Sequence, residues 1–464
     1  GDVYKRQIRG VKKEKKMEII IGILLILSFF GLAFYAIKGG NLFMGILIIA
    51  TIWLILPLIG NFCVRHGWVF DKSFYEANKA LVDTSFKDAL KLVYQSGPES
   101  WGATLVNVVF GAWFGRVILQ TGIASTLIKK TTEMGGDRPA ITCILLSIVT
   151  TAIFTSLFGA GAVVAIGVII LPILISLGIP KKCAIVSYTL SIGAGMFINP
   201  VLNSQYSGFF PGWTINEHLA WGFTMMGIQV LFTIVVVLFF TRKKRISQAW
   251  AAEAPQRKKL DFAPTPALIA PILPVVLNLL GAPIILGFII AGFYALLVCG
   301  KLKSFKGACR TLNKDFFDGV VDAAPLVGFL LVLPMFNKAA TLCSPYFNAV
   351  LGSIIPKNSL VLIIIFACLA PLGLFRGPFT LFGCGAALLG ILMGFGTLPV
   401  EFLAALFIIP STVMNVSCCI TQSWIAWGIG YTKVPTKEYL KTSIICGWSL
   451  CVIMELVTYF CFYR

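Results

Sequence analysis

Runs of about 20 apolar residues recur along this chain, near 17–37, 43–62, 101–128, 218–241, 282–300, 321–346 and 438–463, with longer interrupted runs between them. Each is long enough to cross a bilayer as a helix. Inside lipid a segment must satisfy its own backbone N–H and C=O groups, which an α-helix does alone. Hydrophobic residues make up 58% of the 464 residues and charged ones 12%, against about 45–50% and 25% in soluble domains. The expected fold class is an all-α polytopic membrane protein without a soluble domain.

The second half rewrites the first at an offset of about 217–219 residues. Ser85-Phe86-Lys87 returns as Ser304-Phe305-Lys306, and Gly135 and Pro139 as Gly352 and Pro356. Leu157-Phe158 returns as Leu374-Phe375, and Gln205 as Gln422. The matches keep their order and nearly one offset. A membrane chain of two similar halves is the usual sequence sign of a secondary carrier with its site between the halves.

The formal charge of +19 is read after setting aside residues 1–16. Asp2-Val3-Tyr4-Lys5-Arg6-Gln7 looks like a translated sequencing adapter, and Arg9-Gly10-Val11-Lys12-Lys13-Glu14-Lys15-Lys16 like a translated ribosome-binding leader. We expect the gene to start at Met17. Without that leader 31 basic residues face 17 acidic ones, a charge of +14. The rest of the basic charge sits in short loops, so it reports topology and not nucleic-acid binding. The domains read as a first repeat, 17–241, a basic cytoplasmic linker, 242–263, and a second repeat, 264–464.

Two runs carry Gly/Pro-rich breaks, 138–179 and 356–398, and fit either two spans or one re-entrant hairpin each. Two others, 181–206 and 400–425, read as broken spans. With hairpins each half crosses five times, about ten helices in all, and the odd number inverts the second half. Loop charge agrees: a cytoplasmic 242–259 also puts Lys129-Lys130, Lys181-Lys182 and Lys301-to-Arg310 there, as the positive-inside rule asks. Residues 64–100 and 301–318 read as interfacial amphipathic helices.

The hairpin tips and broken spans hold the candidate substrate-binding residues. At the tips they are Thr155, Ser156, Gly159 and Gly161, matched by Arg376, Gly377 and Thr380. A helix restarting at such a break offers free N–H groups and a dipole that favours an anion. In the broken spans they are Asn199, Asn203, Asn415 and Ser417, whose side-chain oxygens suit a cation or a substrate hydroxyl. The structural alternative for all of them is polar or small-residue packing between helices. A guanidinium at bilayer depth costs at least about 2.5 kcal/mol and normally faces a partner or a cavity. Arg376 is therefore expected to grip a substrate carboxylate, with snorkelling to the interface as its alternative. Arg116 reads as structural. Asp318, Asp322 and Glu401 are the ion-coupling candidates, and Glu455 can also carry a proton.

The 13 cysteines are scattered, and His66 and His218 stand apart. No Cys/His cluster has metal-ligand spacing, so no metal or cofactor is expected. No Ser/His pair or His/Asp/Glu cluster points to an enzyme.

The chain resembles the ion-transporter superfamily of secondary carriers, nearest the citrate–metal symporter and gluconate permease branches. The likeness rests on Gly115-Arg116 to Gly122, Gly135-Gly136-Asp137-Arg138-Pro139, Phe158 to Ala162 and Leu171-Pro172 to Pro180. In the second half it rests on Phe317-Asp318-Gly319 and Pro371-Leu372 to Gly385. The resemblance implies a site at the tips and broken helices, a site-bearing unit that moves against a scaffold, and often a homodimer. Gly159-Ala160-Gly161 replaces the acidic tip of the citrate–metal symporters, which points away from metal–citrate. The Ser-Asn-Thr tips of sodium-coupled dicarboxylate carriers are also absent. The expectation is a proton-driven symporter for a small organic anion such as a carboxylate, in the inner membrane of a bacterium, with a sodium/proton antiporter as the rival.

Overall fold

The computed structural model describes residues 16–462, apart from 39, 66–71, 137, 211, 243–261, 353, 357, 384, 395 and 397. The expected leader (save Lys16), the body of the linker, His66 and Asp137 therefore lie outside the described residues. Every regular element among those described is helical. The first half runs α1 (Lys16–Ile37), α2 (Leu42–Arg65), α3 (Lys72–Val82), α4 (Phe86–Gln120), α5 (Ile123–Gly135), α6 (Pro139–Phe154), α7 (Ala160–Ser176), α8 (Lys181–Met196), α9 (Pro200–Phe209) and α10 (Leu219–Arg242). The second half runs α11 (Leu273–Leu279), α12 (Ile284–Val298), α13 (Phe305–Leu351), α14 (Ser359–Cys368), α15 (Gly385–Gly394), α16 (Val400–Pro410), α17 (Ser423–Thr432) and α18 (Thr436–Phe462).

Six of the described helices are long and apolar enough to cross a membrane, or eight if each of two bent pairs counts as one span. Their outward faces are apolar too: Phe62, Leu231, Phe239 and Phe460 are each 60% exposed or more. Helices apolar all round belong in lipid. The chain is a multi-pass membrane protein.

The count falls short of the expected ten for physical reasons. α12, in the span expected at 282–300, holds 15 residues, less than the ~20 of a full crossing. The span expected at 264–280 is a 3₁₀ turn, Thr265–Ile269, followed by the seven-residue α11. Prolines at 264, 266, 271 and 274 remove N–H donors and break an α-helical ladder there. Conversely, the interfacial helix expected at 301–318 and the span at 321–346 are one helix of 47 residues, α13. It carries Pro325, Pro334 and Pro345, each able to bend it without ending it when neighbours re-satisfy the backbone.

Two elements are shielded from lipid. Cys183 to Met196 in α8 and Phe402 to Pro410 in α16 are buried without exception. Small residues allow this. A Cβ on Gly195 would lie 2.5 Å from the Thr151 carbonyl oxygen, so only glycine lets α6 and α8 come this close. α8 bends by 65° into α9. α16 runs into a π-helical turn, Ser411–Cys418, before α17 restarts. Around them, α13 packs against α1, α2, α4 and α15. Trp53 of α2 donates to Ser28 Oγ at 2.8 Å and stacks near Phe336 and Phe347 of α13.

Candidate functional site

A cavity of about 630 Å³ opens where the interrupted elements meet. Phe158, Gly159 and Ala160 reach it from the break between α6 and α7, and Arg376 and Phe382 from the break after α14. Gln205 comes from α9, Thr421 to Trp424 from the start of α17, and Asp322 and Phe329 from α13.

The chain turns at Gly159 with φ +102 and ψ 160, a conformation open to glycine almost alone. α7 starts directly after it, and no side chain caps it. Its first N–H groups and the positive end of its dipole therefore point at the cavity rim. α17 likewise begins at the lining, with Gln422 as an N-cap that makes no side-chain cap bond.

Arg376 ends a short 3₁₀ segment, Ala370–Arg376. Phe375 and Arg376 have φ of +54 and +61, two successive non-glycine residues in the left-handed region, a strain that collects at functional sites. The Phe375 N–H donates to Cys419 Sγ at 3.0 Å. The Arg376 guanidinium donates to the Phe382 carbonyl and to Gln422 Oε1, both at 3.3 Å. It lies 5.5 Å from the Phe329 ring centroid, and its Nε has no hydrogen-bond partner. No carboxylate of the described residues pairs with it. Arg116 is different. It donates from Nη2 to Asp322 Oδ1 at 2.6 Å, and its Nε lies 2.5 Å from Oδ2. The same carboxylate faces α7, since a Cβ on Gly161 would come within 2.6 Å of Asp322 Oδ2.

Gly159, Arg376 and Asp322 of the predicted set line the cavity, and Gly161 packs on Asp322. The remaining predicted residues stand outside its lining and divide into three groups. Asn199 spends its whole amide within the protein. Nδ2 donates to the Phe154 and Leu157 carbonyls at 2.9 Å, and Oδ1 accepts from the N–H groups of Val201 and Leu202. It caps α9 and ties that cap to the first tip. Asn203 donates to the Phe197 and Asn199 carbonyls, Ser417 bonds Thr412 and Gln229, and Thr155 bonds Ala152. Gly377 supports the turn around Arg376, where a Cβ would strike the Leu372 carbonyl oxygen. By contrast Ser156 Oγ, Thr380 Oγ1 and both amide atoms of Asn415 are buried without a hydrogen-bond partner. Asp318 is half-buried on α13, Glu401 lies exposed at the start of α16, and Glu455 is fully buried with neither oxygen bonded.

Gln205, Phe329, Thr421, Gln422 and Trp424 line the cavity outside the predicted set. Gln205 and Gln422 match at the expected offset in the sequence, and that match was the signal that could have marked them. Phe329 had none, because an aromatic in an apolar run reads as packing.

No model of a known protein family matches the chain, and no curated protein does. Among solved structures the fold is similar to the crystal structure of the YdaH transporter of Alcanivorax borkumensis, described as having an unusual topology. The TM-score is 0.54 at 13% identity, over 83% of this chain and 90% of that one. The chain thus shares its fold, over most of its length, with a membrane transporter.

Proposed function

We propose that this protein is a secondary active transporter, a proton-driven symporter for a small organic anion such as a carboxylate, in the cytoplasmic membrane of a bacterium. One observation carries the reading. Arg376 brings a guanidinium to a cavity inside a membrane protein, and the acid in its lining, Asp322, is paired with Arg116 instead. An uncompensated charge there is costly, and an anion with two oxygens satisfies both the charge and the planar donor fork. The unclaimed N-termini of α7 and α17 add positive potential at the same wall.

The finer architecture belongs to the same proposal. The halves 17–241 and 264–464 are inverted repeats, and α6–α7 and α14–α15 are re-entrant hairpins whose tips meet at the site. The short lengths of α6, α7, α14 and α15 support this. So does the shared role of the repeated serines: Ser85 Oγ accepts from the Asp88 N–H at 3.1 Å, and Ser304 Oγ from the Gly307 N–H at 3.2 Å. Alternating access then moves the tips and broken helices against the remaining helices. Ser156, Thr380 and Asn415 take a substrate hydroxyl or ion, while Asp322 takes the coupling proton, with Asp318 and Glu401 as further candidates. Protonating Asp322 would release Arg116 from its ion pair, which links proton binding to the cavity wall.

The test is a thermal-shift screen of the purified protein against small carboxylates, with and without sodium, across pH, followed by uptake into proteoliposomes. Stabilisation by a carboxylate and uptake driven by an inward proton gradient are expected. Exchange of sodium for protons with no organic anion present would replace this reading by the antiporter.

A further inference from the structure

A second pocket, of about 200 Å³, lies away from the central cavity, where the C-terminal ends of α4 and α12 meet the first turns of α13. Gln120 and Thr121 line it from α4 and its cap, Lys301 from the loop after α12, and Arg310, Lys314 and Asp315 from α13. Arg310 and Lys314 are four residues apart and share a helix face. Asp315 is only 2% exposed, and its Oδ2 is buried without a hydrogen-bond partner. Arg310, Lys314 and Asp315 form no ion pair among the described residues. The pocket thus offers several exposed basic side chains beside one buried acceptor, and nothing among the described residues satisfies that acceptor.

Its depth is set by what lies across α13. On the opposite face of the same turns, Phe110, Trp113, Phe293 and Phe316 line an open apolar groove of about 290 Å³. Cations at the helix ends with aromatics just inside mark the boundary between water and hydrocarbon. Phosphates of lipids lie at that level, and basic pockets between helices bind them.

We propose that this pocket binds a phosphate-bearing headgroup. The phosphate meets Arg310, Lys314 and Lys301, and a hydroxyl or ammonium hydrogen on the same headgroup is donated to Asp315. A bare phosphate would leave the buried carboxylate unpartnered and beside a like charge, so the donor is part of the recognition. Two sources share this chemistry, a membrane phospholipid and a soluble phosphate ester. The proposal stands apart from the transport reading and does not use the central cavity.

The test takes the full chain, purified in detergent and stripped of lipid, and follows thermal unfolding. Dioleoyl phosphatidylglycerol, phosphatidylethanolamine and phosphatidylcholine form one arm, with glycerol 3-phosphate and phosphoethanolamine as the other. We expect phosphatidylglycerol or phosphatidylethanolamine to raise Tm well above phosphatidylcholine, whose headgroup has the phosphate and no donor hydrogen. Arg310→Gln with Lys314→Gln should weaken that response about tenfold or more in ligand concentration. Asp315→Leu, which removes the acceptor, should remove the preference over phosphatidylcholine. A soluble ester that reproduces the response supports the site and assigns it to a soluble ligand; a response to lipid alone assigns it to the membrane. Full response in the double variant, or a preference over phosphatidylcholine that survives in Asp315→Leu, overturns the proposal. So does the absence of any response in wild type. The melting temperature of each variant without ligand reports whether it is folded.

Discussion

Arg376 and Asn199 exert their effects in opposite ways, and substitution separates them. The Arg376 guanidinium is hydrogen-bonded to the protein through one carbonyl and one amide oxygen, at 3.3 Å each, and rests over the Phe329 ring. Arg376→Ala should leave the melting temperature nearly unchanged and weaken carboxylate binding by about 10–100-fold, the worth of charged hydrogen bonds. Binding at wild-type strength in that variant would remove Arg376 from the site. Asn199 is the reverse, since its amide makes four bonds inside the protein. Asn199→Ala should lower stability by about 2–4 kcal/mol, from a lost cap and two stranded carbonyls. Asn415→Ala strands nothing, because its amide has no partner in the protein. It should change affinity for substrate or coupling ion and spare the fold, and an unchanged affinity at normal Tm would leave Asn415 outside the site. A third residue reports on pH. His218 stacks on Trp213 at 4.0 Å, and burial lowers its pKa, against a smaller upward pull from Glu217 and Glu401. The folded state therefore disfavours the imidazolium. That stability is complete above the unfolded value of about 6.5 and is lost as pH falls through the lower folded value. His218→Phe keeps the stack and should lose less Tm than wild type between pH 7 and pH 5.

At the scale of elements, α4 and α13 meet at Gly319. A Cβ there would lie 2.8 Å from the Trp113 N and Cα atoms, and backbone cannot step aside as a flexible side chain can. Gly319→Ala should cost about 1–3 kcal/mol as an overpacked contact, seen as a lower Tm in detergent. It should also disturb the Arg116–Asp322 pair one turn along the same seam. Wild-type stability in that variant would mean that the two helices are free to separate there. The existence of these helices was legible, since unbroken apolar runs leave no other way to satisfy the backbone in lipid. Their limits were less so. The joining of 301–318 to 321–346 into α13 depends on the helix keeping its ladder past three prolines, which neighbouring helices permit and local sequence does not announce. The loss of a span at 264–280 was written in its closely spaced prolines, but hydropathy hid it.

For the whole molecule, the decisive expectation is a coupled flux. Proteoliposomes should accumulate the carboxylate that binds when the outside is made acidic, and should acidify inside as they do so. Uptake that ignores the proton gradient would exclude Asp322 as the coupling group. The sequence by itself determined the class of fold and the breaks in the chain. These follow from local chemistry, because hydropathy, glycine and proline act over a few residues. Tertiary structure alone decided which polar groups are spent and which are left open. Asn199 and Asn415 look equivalent in sequence, yet one is saturated by the Phe154 and Leu157 carbonyls and the other is bare. Arg116 reads as structural in the sequence, but its partner, Asp322, stands more than 200 positions away, while no carboxylate of the described residues pairs with Arg376. Such accounts are settled between segments far apart in the chain, where a partner's distance in space bears no relation to its distance in sequence.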